Sequence, residues 1–174
     1  MTPRALRSLF LASVIGLSTV ALISPRAADT EMQRAELASA LKDAKLILED
    51  GLKTSEREGR PISAKFEVDD GKLQFSAYTL KGDGFTEVVA DPKTGAITKS
   101  EKITDAGDLD AAAKQKDAME KAKISLLAAT EKAVNANAGF RAVSIFPAME
   151  GGHPTAAVTL LQNETYKTVA EKLD

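Results

Sequence analysis

The chain repeats itself at a constant spacing, and no other feature narrows its possible folds as much. Pairing residues 38–94 with those 80 positions later gives ten identities in 57 pairs without a gap. Among them are Gly59/Gly139, Phe66/Phe146, Gly71/Gly151, Thr79/Thr159 and Leu80/Leu160. The glycines fall where patterns break, and the two phenylalanines take the same place in an alternating apolar run. A fixed period of this kind marks copies of one structural unit. The expected fold class is α+β: two repeated units, each one helix packed on a small antiparallel β-meander.

Local patterns supply the parts of that unit. Leu37, Leu41, Ala44, Leu48 and Leu52 recur every three or four residues, which predicts one face of a helix over 30–58. Gly59 and Pro61 stop it. Ile62, Ala64, Phe66 and Val68 then alternate with Ser63, Lys65 and Glu67, the signature of a half-buried strand. Asp69-Asp70-Gly71 predicts a tight hairpin turn. Leu73, Phe75, Ala77 and Thr79 alternate on a second strand, Phe85 to Ala90 form a third, and 96–103 adds a short edge strand. A second helix is expected to run to about Asn137, followed by strands over 140–148, 155–161 and 165–171.

Residues 1–28 stand apart. Arg4 and Arg7 precede an uncharged apolar stretch from Leu9 to Ile23, and Ser24-Pro25-Arg26-Ala27-Ala28 follows. That order predicts a secretory signal peptide. The apolar stretch is shorter than the roughly 20 residues of a spanning helix. The expected layout is a signal peptide over 1–28, a first unit over 29–103, a linker over 104–113 and a second unit over 114–174. The expected location is the bacterial periplasm or beyond, with no membrane span once the signal is removed. Without Arg4, Arg7 and Arg26, 20 basic residues face 25 acidic ones, a net charge of −5. That balance disfavours nucleic acid as a partner. Cysteine is absent, so there is no disulfide, thiolate metal site or cysteine nucleophile. Units of roughly 65 residues are marginal alone, so the two are expected to pack on each other.

The run Asp91-Pro92-Lys93-Thr94-Gly95-Ala96-Ile97, placed after a helix and three strands, resembles the end of the PepSY domain. Asp91, Thr94, Gly95 and Ile97 occupy the places of that family's Asp-x-x-Thr-Gly turn and its following apolar residue. The resemblance covers about 36–103 and extends through the repeat to about 116–174. In the second copy Glu171 and Asp174 stand at the Asp91 and Thr94 positions, and no residue matches Gly95. The resemblance implies an exported, non-catalytic binding or modulatory protein, with a peptidase as one class of target. It also implies a protein or peptide partner in the cell envelope. A periplasmic protein that binds a small ligand or metal ion is the alternative.

No group of residues points to catalysis or to a cofactor. His153, the one histidine, lies in a Gly-Gly-His-Pro turn and cannot build a zinc site without further ligands. Asp105, Asp108 and Asp110 lack the spacing of a calcium loop and read as helix-capping acids. Asp69, Asp70 and Asp83 sit in turns, where aspartate bonds local backbone. One surface stands out. At the 80-residue spacing, Ser63, Lys65 and Glu67 become Val143, Ile145 and Pro147, and Tyr78 and Leu80 become Val158 and Leu160. Val143, Ile145, Val158 and Leu160 are therefore expected on the outer sheet face of the second copy, buried against the first copy or exposed to a partner.

Overall fold

The alternating segments after Gly59 form strands β1 (Arg60–Asp69), β2 (Lys72–Lys81), β3 (Gly84–Ala90) and β4 (Ile97–Lys102). Those after Gly139 form β5 (Arg141–Glu150), β6 (His153–Gln162) and β7 (Thr165–Lys172). The computed structural model describes residues 25–174; the signal peptide expected over 1–28 lies, up to Ser24, outside the described residues. The β1–β2 turn needs two consecutive left-handed residues, Asp70 (φ 47°) and Gly71 (φ 72°). Such two-residue turns match the twist of the strands they join.

The two meanders do not stand as separate units. β1 pairs with β5 antiparallel, Ala64 opposite Ile145, and the strands run β4-β3-β2-β1-β5-β6-β7 in one seven-stranded sheet. Each half contributes two helices, not one: α1 (Pro25–Ala40), α2 (Leu48–Ser55), α3 (Ala106–Lys121) and α4 (Leu126–Asn135). The chain is thus a single α+β domain, and the expectation of two repeated helix-on-meander units is corrected. Joining β1 to β5 pairs two exposed sheet edges and gives one core to halves that would each be marginal alone.

Tertiary bonds break the helix expected over 30–58. A 3-10 turn at Leu41–Asp43 follows α1, Ala44 and Ile47 are extended, and the amides of Lys45 and Leu46 both donate to the Pro92 carbonyl at 3.0 and 2.9 Å. The second helical stretch breaks in the same way, with the Lys123 and Ile124 amides on the Leu173 carbonyl. Ser125 then caps α4 by accepting from the Ala128 amide. Residues 106–113, inside the stretch read as a linker, form the first half of α3, with Asp105 as its cap.

Helices cover both faces of the sheet. α2 lies so close that a Cβ on Gly51 would sit 2.4 Å from the Phe75 ring. On the same face Lys132 of α4 pairs with Glu171 of β7 at 2.6 Å. The opposite face meets α3 through a hydrogen bond between Tyr78 and Asp108, and α1 where the Tyr166 hydroxyl donates to the Arg34 carbonyl at 2.8 Å. Both faces of the middle strands are therefore buried, and β2 reads buried at five consecutive positions from Phe75 to Thr79.

The strands of the two halves correspond at 81 positions, not 80. The register irregularities at Pro61/Ser63 and Ala142/Ser144, and the left-handed pairs Asp70-Gly71 and Gly151-Gly152, each stand 81 apart. A slip of one residue turns every side chain of a strand to the other face. Phe66 is therefore matched by Pro147. Phe66 is buried in the core edge-on to Phe75, whereas Phe146 points to the opposite face and is only partly buried. Val143, Ile145, Val158 and Leu160 are all buried in the core. Ile145 and Val158 are cross-strand partners on the face covered by α2 and α4, so these residues form no outer patch.

Candidate binding groove

The Asp91–Ala96 turn is built from its own side chains. Asp91 Oδ1 accepts from the Lys93 amide (3.0 Å), the Thr94 amide (2.8 Å) and the Thr94 hydroxyl (2.9 Å). The Thr94 hydroxyl in turn accepts from the Ala96 amide at 3.3 Å. Gly95 takes φ 72° and its amide returns to the Asp91 carbonyl at 2.8 Å. The bonds from Thr94, then that from Lys93, hold the Asp91 carboxyl below the ordinary carboxylate range. This closed turn aims the Pro92 carbonyl at Lys45 and Leu46 and so fixes the bend between α1 and α2.

Between that turn and α2 runs an open groove of about 460 Å³. Lys45, Arg57 and Lys93 line it, with Thr54 on its wall and the backbone of Gly95 beside it. All three cations are exposed, and none has a carboxylate within ion-pair distance among the described residues. The single acid of the groove, Asp50, lies 3.5 Å from Lys53. A chain rich in acid thus gathers three unpaired cations around one concavity. That arrangement makes the field within the groove locally positive. Sequence reasoning missed these residues, because the bend at 44–47 and the β3–β4 turn bring positions 45, 57 and 93 together, and no local pattern encodes the meeting.

A second polar group lies beneath α3. Lys65 and Glu67 pair at 2.5 Å, Gln74 donates to Glu67, and the Ser76 hydroxyl donates to Glu87 at 2.9 Å. Burial first, then the Asp108 hydrogen bond, pushes the Tyr78 phenol above its ordinary range. Burial also raises Asp108, against the Tyr78 bond, which lowers it. These groups satisfy one another between sheet and helix, an arrangement that gives a buried face specificity.

The other acids and the histidine serve local structure. Asp105 caps α3, Asp108 reaches Tyr78, and Asp110 pairs with Lys114 at 2.6 Å. Asp69 ends β1, Asp70 makes the hairpin turn, and Asp83 lies in the turn between β2 and β3. His153 Nδ1 sits 2.6 Å from Asp174 Oδ2. Among the described residues, no three His, Cys, Asp or Glu side chains gather to hold a metal ion. None of the described helices is long and apolar enough to cross a membrane.

No protein-family model matches the chain, and no curated protein does. A solved structure, that of a putative lipoprotein from Clostridium difficile 630, is similar at 14% identity, covering 70% of this chain and 80% of that one with a TM-score of 0.37. A likeness at that score carries no argument.

Proposed function

We propose that the protein is an exported, non-catalytic binding protein that holds an acidic segment of an envelope protein or peptide in the groove between α2 and the Asp91 turn. The observation that carries this reading is the set Lys45, Arg57 and Lys93: exposed, unpaired, and facing one open concavity in a chain whose overall charge is negative. The groove is open to solvent, and its polar lining is three cations, the hydroxyls of Thr54 and Thr94 and one acid, Asp50, which suits an acidic occupant. The signal-like residues 1–28 support export. The PepSY resemblance at Asp91–Gly95 adds modulation of a peptidase as the role such binding serves.

Affinity capture from envelope extract, comparing the parent with a Lys45→Glu/Arg57→Glu/Lys93→Glu variant of unchanged circular dichroism, tests the reading. Capture by the parent that the variant loses is the expected result. Equal capture by both proteins refutes the groove as the binding surface.

A further inference from the structure

The two ends of the sheet differ in how they meet solvent. β4, at one end, is six residues long, has an irregular register against β3 at Val89/Ala90, and carries Lys99, Glu101 and Lys102. Short, irregular edges resist pairing. β7, at the other end, has eight residues, no proline and an unbroken register with β6 from Gln162 opposite Thr165 to Thr155 opposite Lys172. No described strand lies on its outer side. Alternate residues of such an edge turn their N–H and C=O groups outward, ready for another strand.

The sequence of β7 is complementary to itself when run antiparallel. With Val169 opposite Val169 of a second copy, Lys167 stands opposite Glu171, Thr168 opposite Ala170, and Tyr166 opposite Lys172. A register centred one residue earlier, on Thr168, sets Lys167 against Val169 instead. One centred on Ala170 sets Glu171 against Val169. Within β7, only the middle register makes two opposite-charge pairs, and directly opposed like charges are unfavourable. Lys167 is exposed and bonds a neutral amide oxygen, that of Asn137, whereas Glu171 is largely buried and pairs with Lys132 through Oε2, which leaves its Oε1 to meet a partner.

We propose that two copies of this chain associate edge to edge through β7, antiparallel about Val169, continuing the sheet from one copy into the other. One strand pair is a narrow contact, below the ~1,200 Å² of standard stable interfaces, so the dimer forms reversibly with concentration.

Sedimentation velocity from micromolar to millimolar protein tests this. The parent is expected to pass from monomer to dimer. Lys167→Glu and Glu171→Lys, each alone, oppose like charges twice and should weaken association by about tenfold or more. An equimolar mixture of the two variants sets the introduced glutamate against the introduced lysine at one end and native Glu171 against native Lys167 at the other, and should dimerise like the parent. A parent that stays monomeric throughout overturns the proposal. So does a dimer that both variants form as well as the parent. Should Glu171→Lys fail to fold by circular dichroism, Lys167→Glu must weaken the dimer more than Lys167→Gln; equal effects overturn the proposal.

Discussion

Arg141 donates to the Leu46 carbonyl at 2.9 Å across 95 positions of sequence. Its other terminal nitrogen donates to the Leu41 carbonyl at 3.2 Å, and its guanidinium carbon lies 5.6 Å from the centre of the Phe66 ring. The first residue of β5 thus ties the second half of the sheet to the α1–α2 bend that forms one wall of the groove. Arg141→Met should cost about 2 kcal/mol, because two part-buried carbonyls lose charged donors. Lysine should not restore it, since one ammonium cannot reproduce the planar fork. Urea denaturation of the three proteins measures both effects.

Phe66→Ala should cost about 3–5 kcal/mol, the usual range for emptying a buried aromatic site. Phe146→Ala should cost less than half as much, because its ring is partly buried and on the other face. Equal losses would contradict the 81-residue correspondence of the strands. Val143→Asp or Ile145→Asp should unfold the protein, since each places an unpaired charge in the core.

That difference shows what the sequence could reveal. Strands and turns were legible because alternation and glycine placement are local: β1, β2, β5 and β6 begin and end close to where their patterns do. The extra residue between the halves was not legible. Identities such as Phe66/Phe146 and Gly71/Gly151 favour a spacing of 80, while backbone geometry follows 81, and only strand pairing reveals it. The helix breaks were hidden for a related reason. Leu41, Ala44 and Leu48 keep helical spacing, but the Pro92 carbonyl competes for the amides at 45 and 46 and wins. The groove depends on that break, so it too was invisible in sequence.

Asp91 should make the Asp91–Ala96 turn acid-sensitive. Its folded pKa lies below the ordinary value, so its stabilisation is complete above that ordinary value and is lost as pH falls through the lower, folded one. Asp91→Ala should lower the melting temperature at neutral pH and remove this part of the acid transition. Asp91→Asn, which keeps an accepting oxygen, should retain more of the turn. Melting curves from pH 2 to 7 check the order.

Asp108 should behave in the opposite sense. Its folded pKa is raised, so its contribution favours the fold when protonated and declines as pH rises through that raised value. Asp108→Asn keeps an acceptor for Tyr78 and should flatten the decline without loss at neutral pH. Asp108→Ala leaves the buried phenol without its acceptor and should cost about 1–3 kcal/mol. Denaturant midpoints measured on either side of the ordinary carboxylate range separate the two variants.

Amide chemical-shift mapping with a synthetic acidic peptide, a glutamate-rich decamer, tests the proposed function most directly. Saturable shifts confined to the neighbourhood of Lys45, Arg57 and Lys93–Ala96 are expected, weakened by salt and abolished in the Lys45→Glu/Arg57→Glu/Lys93→Glu variant. Shifts spread over the whole surface, or shifts that persist in the variant, would contradict a binding site in this groove.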